Sequence, residues 1–187
     1  RTTSVYEGKL VRLREMRAED AEKFTAWMND RTQAEKLSAG AMPLTLEQEK
    51  AWITANSGRQ DAHNHFSVET LDGRLIGSCS YHQLDWKNSR CMVGWQIGEP
   101  EMRGKGHGTD LIETLLSVCF TVLGLRKVSL CVFEFNEAAR LYERLGFTLE
   151  GVFRKEVFAR GKWWDERRYG MFRTEWAKKR GIALEPD

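Results

Sequence analysis

The stretch that most restricts what this chain can fold into runs from Cys91 to Phe147. Cys91-Met92-Val93-Gly94-Trp95-Gln96-Ile97 reads as an apolar strand, and a glycine-rich loop follows it, Arg103-Gly104-Lys105-Gly106-His107-Gly108. Thr109 to Val122 is apolar at helical spacing, Lys127 to Phe133 reads as a second strand, and Asn136 to Phe147 as a second helix. Glycine lets a backbone approach an anion closely, and the unpaired N–H groups of a helix's first turn offer hydrogen bonds and a positive dipole end. A strand that ends in glycines and feeds a helix therefore reads as a phosphate cradle. Alone, the same loop would equally serve as a plain strand-to-helix turn.

Two common nucleotide motifs do not fit. A dinucleotide-binding fingerprint needs Gly-x-Gly-x-x-Gly in an early βαβ unit, whereas these glycines are spaced Gly-x-Gly-x-Gly and follow several strands. A P-loop needs Gly-Lys-Ser/Thr, and Lys105 is followed by Gly106.

The combination carries more than the loop. Arg103-x-x-Gly106-x-Gly108 is followed, one strand later, by Asn136, Ala139, Leu141-Tyr142 and Gly146-Phe147. Together the two blocks resemble the acetyl-CoA signature of the GNAT acetyltransferase superfamily. The resemblance extends along most of the chain. It implies an α+β fold, with a mixed, mostly antiparallel seven-stranded sheet flanked by helices. That sheet would be splayed between the Cys91–Ile97 and Lys127–Phe133 strands, where the pantetheine arm of acetyl-CoA would lie.

Size and composition agree with one such domain over residues 1–187: 41% of the residues are apolar, enough for a full core. A formal net charge of +2 gives no sign of a nucleic-acid binder. Cys79, Cys91, Cys119 and Cys131 lie in apolar segments without metal-like spacing, so buried thiols in the cytoplasm are expected rather than disulfides or a metal site. No apolar run reaches membrane-span length and no signal-like segment precedes the first strand. The chain opens at Arg1 rather than methionine, so native residues are expected to be missing or replaced there.

Taken in order, Lys9–Arg14 reads as a strand, and an amphipathic helix starts at Ala18-Glu19-Asp20 with Phe24, Trp27 and Met28 on one face. Asp30–Met42 reads as a loop, and Thr45-Leu-Glu-Gln48 as a capping box opening a helix. His65–Thr70 and Leu75–His82 form a hairpin around Leu71-Asp72-Gly73-Arg74. At the far end Thr148–Ala159 and Trp163–Phe172 flank Arg160-Gly161-Lys162. The order is βααβββαβαββ. Most tryptophans, Trp95 among them, read as core or edge packing. Adjacent Trp163 and Trp164 must face opposite ways, so one is available for an acceptor cleft or a homodimer surface.

Acetyl transfer to an amine needs a held thioester, a free amine, stabilisation of the developing oxyanion and a proton for the leaving thiolate. The resemblance assigns the pyrophosphate to the loop of Met102, Arg103, Gly104, Lys105, Gly106, His107, Gly108 and Thr109, with Arg140 or Arg144 as further cations. It assigns the thioester carbonyl to backbone near Ile97, a pantetheine hydrogen bond to Asn136, and the thiolate proton to Tyr142. Asn136 also reads as a helix N-cap on its own chemistry. For the base, Glu156 leads Glu99, Glu101, His82 and a bound water. An enzyme with no strong base would suit α-amines, whose pKa lies about 7.7–8.0, better than lysines near 10.4.

The tail Gly151–Glu156 and Arg160–Asp165 resembles the ribosomal-protein N-terminal acetyltransferases and also bacterial spermidine acetyltransferases. Ten Lys/Arg against four Asp/Glu between Arg154 and Arg180 disfavour a polycationic acceptor. The expected reaction is therefore acetylation of a protein N-terminal α-amine, with a small amine as the alternative acceptor. A silent acyl-CoA sensor is the rival from another class.

Overall fold

The computed structural model describes residues 5–37, 42–59 and 61–185. Alternation at the N-terminus forms β1 (Val11–Arg14), which buries Val11 and Leu13. After a 3₁₀ turn at Ala18–Asp20, α1 (Ala21–Asn29) buries Ala21, Phe24 and Trp27, a single helical stripe. The expected loop after Asp30 is instead helical over its first half. Asp30 Oδ1 accepts from Thr32 N–H at 3.0 Å and caps α2 (Arg31–Ala34), and a 3₁₀ turn, Glu35–Leu37, follows. One turn is too short to show a period in sequence, and residues 38–41 lie outside the described ones. The capping box at Thr45 and Gln48 forms as expected at the start of α3 (Leu46–Asn56).

The remaining elements are β2 (Asn64–Thr70), β3 (Leu75–Asp85), β4 (Arg90–Ile97), α4 (His107–Ser117), β5 (Lys127–Phe133), α5 (Ala139–Leu145), β6 (Thr148–Ala159), β7 (Lys162–Phe172) and α6 (Arg173–Arg180). A π turn, Val118–Val122, extends α4. The seven strands form one sheet in the order β1-β2-β3-β4-β5-β7-β6, antiparallel except for β4 with β5. α6 was not legible as a helix in sequence; it anchors through buried Trp176, whose ring centroid lies 5.2 Å from that of Phe120.

The main core lies between one sheet face and α4, α5 and α6, with Leu111, Leu115, Phe120, Val128, Leu130 and Tyr169 at its centre. A smaller cluster, Met16, Phe24, Trp27 and Ile53, sits under α1 and α3. Cys79, Cys91 and Cys119 are buried free thiols and Cys131 is half-buried. No helix among the described residues is long and apolar enough to cross a membrane. Trp163 is exposed, whereas Trp164 turns inward against Phe135.

Candidate active site

β4 and β5 pair only over Arg90↔Lys127, Cys91↔Val128 and Met92↔Ser129. Beyond Met92 the two strands diverge, and a cavity of about 600 Å³ occupies the gap. Trp95 and Gln96 are consecutive strand residues and so point to opposite faces, yet both line this cavity. The cavity therefore runs through the sheet. On one face it meets α4 and α5; on the other it meets Thr32, Gln33 and Lys36 of the segment after α1.

The loop after β4 follows from its glycines. Gly104 (φ +71°) and Gly106 (φ +91°) hold the left-handed conformation that L side chains resist, and Gly106 is the N-cap of α4. A Cβ at Gly104 would meet nothing within 4 Å, so the loop is open on that side. His107 Nδ1 lies 3.2 Å from the Met102 carbonyl and closes the turn. Arg103, Gly104, Gly106, Gly108 and Thr109 line the cavity, with the first-turn amides of α4 among them; Met102, Lys105 and His107 are not among the lining residues. Room, open amides and a helix start make the loop a fitting cradle for a pyrophosphate.

Arg103 has a second task. Its Nε donates to the Ile97 carbonyl at 3.0 Å and its Nη2 to the Gly98 carbonyl at 3.5 Å. The Ile97 carbonyl lies where the splay has removed a strand partner, and Gln33 Nε2 also donates to Gly98 O, just past the end of β4, at 2.9 Å. Gly98 N–H points to β3, donating to Ile76 O at 2.8 Å. Strand alternation then directs the Ile97 N–H across the gap.

The sequence reading of Asn136 as N-cap needs correction. α5 begins only at Ala139, with Ala138 at its N-cap position. Asn136 Oδ1 instead accepts from Ala138 N–H at 3.0 Å, an Asx-type turn that brings the residue to the cavity wall. Arg140 is exposed and does not line the cavity, whereas Arg144 does.

Tyr142 is buried at 6% exposure and lines the cavity. Its hydroxyl accepts a hydrogen bond from Trp95 Nε1 at 2.8 Å. Burial pushes its phenol up to about 12, against a smaller opposing pull from the Trp95 donor. Gln96 Nε2 donates to Ser78 Oγ at 3.1 Å, which leaves Gln96 Oε1 buried without a partner. Glu156, the leading base candidate in sequence, is exposed on β6 and is not among the cavity-lining residues. It sits where the register shifts between Phe153 and Val157 and Lys155 adopts φ +51°, so simple alternation does not govern its direction.

Residues 11–148 match the family profile described as an acetyltransferase (GNAT) domain. The chain belongs to the GNAT acetyltransferases. This acetyltransferase is 36% identical over 146 residues to the spermidine N(1)-acetyltransferase of Escherichia coli K12, covering 74% of this chain and 77% of that one. It is 35% identical over 106 residues to YdaF of Bacillus subtilis, provisionally named a ribosomal N-acetyltransferase, covering 56% of this chain and 57% of that protein. Its fold superposes on the spermidine N-acetyltransferase of Vibrio cholerae, solved in complex with CoA and spermine, with a TM-score of 0.81 and 25% identity over 89% of this chain and 97% of that one. It is an N-acetyltransferase whose cosubstrate is acetyl-CoA.

Proposed function

We propose that this acetyltransferase acts on the free α-amine of a protein or peptide N-terminus, ribosomal proteins included, in the cytoplasm. The observation that carries the reading is the charge lining the cavity. Among the described residues, Lys36, Arg103 and Arg144 supply cations, Glu137 is the one carboxylate, and no histidine lines the cavity. Arg103 and Arg144 are committed to the pyrophosphate, so a polycation would meet repulsion chiefly from Lys36 and from the basic stretch between Arg154 and Arg180. Without a strong base among the described lining residues, the acceptor must lose its proton to water before it attacks. At pH 7 about a tenth of an α-amine with pKa about 7.7–8.0 is free base, against fewer than about one in a thousand for a lysine near 10.4.

Acetyl-CoA supplies an activated acetyl group as a thioester. The loop amides from Gly104 to Gly108 and the first turn of α4 receive its pyrophosphate, since the Met102 and Arg103 N–H groups already bond Glu99 O and Pro100 O; Arg103, Arg144, Lys105 and Arg140 add positive charge. Ile97 N–H stabilises the thioester oxygen, and Asn136 orients the pantetheine arm. The amine nitrogen bonds the acetyl carbon as the C–S bond breaks; Tyr142 keeps its proton until charge develops on sulfur and then donates it, and the proton shed by the acylated nitrogen restores the phenol. Glu156 has no part in this scheme.

A second reading, acetylation of a small polyamine, draws on the likeness to the Vibrio cholerae enzyme that holds CoA and spermine. A panel of acceptors with acetyl-CoA and a free-thiol readout separates the two. Peptides with free Ala or Ser N-termini should react much faster than N-terminally blocked peptides containing lysine. Faster turnover of spermidine than of the free peptides would move the assignment to the polyamine reading, and equal rates on free and blocked peptides would end the α-amine preference.

A further inference from the structure

Trp95 on β4 and Tyr142 on α5 meet through the 2.8 Å bond from the indole Nε1–H to the phenol oxygen. An indole nitrogen donates and cannot accept, so this bond has one polarity. The phenol oxygen must accept, and its own proton is turned away from Trp95. Two aromatic rings flank that of Tyr142, with the Phe147 centroid at 5.8 Å and that of Tyr169 at 6.1 Å. Trp95 and Tyr142 both line the cavity between β4 and β5.

We propose that Trp95 is a positioning residue for acetyl transfer: its indole N–H fixes the direction of the Tyr142 O–H and holds it toward the gap between β4 and β5. The inference rests on the assignment of Tyr142 as proton donor. Trp95 is itself held from the opposite side. A Cβ on Gly108 would lie 2.9 Å from its Cη2 and Cζ3, so the bare glycine lets the indole lie against the first turn of α4. One ring thus links the cofactor helix to the acid. Phenylalanine at position 95 keeps an aromatic ring but leaves the phenol free to turn its proton in the ring plane.

Kinetics and NMR test this together. Trp95→Phe should lower kcat about 10- to 100-fold, the scale of losing an orienting partner, while acetyl-CoA affinity measured by calorimetry holds. In a Tyr142→Phe background the same change should leave kcat where Tyr142→Phe alone puts it. In Tyr142→Phe protein, the Trp95 indole N–H signal, one of seven tryptophan signals, should shift and exchange faster with solvent. A Trp95→Phe variant with near-native kcat beside an impaired Tyr142→Phe variant overturns the inference and leaves the donor assignment standing. Additive losses overturn it too, because Trp95 would then act apart from the phenol. A Tyr142→Phe variant with native kcat removes both. An indole signal unmoved by Tyr142→Phe overturns the inference whether or not Trp95→Phe folds.

Discussion

Asp20 grips Arg14 through two parallel hydrogen bonds, Nη1 to Oδ2 and Nη2 to Oδ1, both at 2.9 Å. Both side chains are nearly buried, Ser67 Oγ and the Arg17 N–H also donate to Oδ2, and Arg14 Nε donates to Glu69 at 2.7 Å. The network joins β1, β2 and the turn that opens α1.

Breaking this network should be costly. Asp20→Asn keeps the size but turns an amide toward the guanidinium, and removal of one partner from a buried pair costs about 3–5 kcal/mol. The pH dependence follows from the carboxyl itself. Burial raises its pKa, but the donors from Arg14, Ser67 and Arg17 outweigh burial and hold it below the usual carboxylate value. Its contribution is present above the unfolded pKa near 3.9 and lost as pH falls through the lower folded one. Urea melts should show a large gap between wild type and Asp20→Asn at pH 7 that narrows below about pH 4. A gap independent of pH would contradict the ionic role.

The glycines of the loop should divide into two kinds. Gly104→Ala places a Cβ in open space, and its left-handed backbone costs an L residue roughly 1–2 kcal/mol. It should melt a few degrees lower and bind acetyl-CoA severalfold more weakly, because the Cβ enters the open side of the loop that the pyrophosphate would fill. Gly108→Glu drives a side chain into the Trp95 ring and sets a carboxylate at the start of α4. Circular dichroism should find it folded, and calorimetry should find acetyl-CoA binding abolished. Near-native affinity would remove the pyrophosphate from this loop.

The loop glycines and Tyr142 were legible in sequence because their chemistry is local: a backbone conformation and an ordinary helix position. Asn136 read as an N-cap because the sequence does not show that α5 starts only at Ala139. Trp95 read as packing because nothing around it reveals a phenol 47 positions further on. Arg103 read as a phosphate cation for a similar reason. Its bond to Ile97 O exists only because β5 has diverged from β4, a tertiary event. α2 lacked a readable period, yet Gln33 fixes it to the end of β4. Glu156 led the base candidates in sequence, and it stands at a β-bulge that the residues around it do not announce.

Glu35 and Arg160 join the segment after α2 to the β6–β7 turn, with Nε and Nη2 of Arg160 donating to Glu35 Oε1 at 2.9 and 2.7 Å. The guanidinium also lies 4.8 Å over the Phe135 ring. Lys36 and Asn136, the chain neighbours of Glu35 and Phe135, line the cavity. Arg160 is half-exposed, so Arg160→Ala should change stability by at most about 1 kcal/mol. The acceptor KM should rise severalfold while acetyl-CoA affinity holds, and Arg160→Lys should fall between, since lysine keeps the charge and loses the fork. An unchanged acceptor KM would show that this pair does not shape the acceptor side.

The pH profile carries the proposed chemistry furthest. Burial pushes the Tyr142 phenol up to about 12, so the donor stays protonated across any practical assay. kcat/KM should therefore rise with pH as the acceptor loses its proton and then stay flat. For a peptide α-amine the rise should centre near pH 8, and for an amine like that of lysine near 10. Tyr142→Phe should lower kcat by roughly 10²–10⁴-fold and leave that rise in place, because the rise belongs to the amine. The raised phenol also adds stability that is full below its unfolded value of about 10 and is lost as pH climbs toward 12. Any fall in rate above pH 10 should consequently track unfolding by circular dichroism. A falling limb near pH 8–9 in wild type that disappears in Tyr142→Phe would mean the phenol titrates low, and Tyr142 could not be the reserve of protons assigned to it.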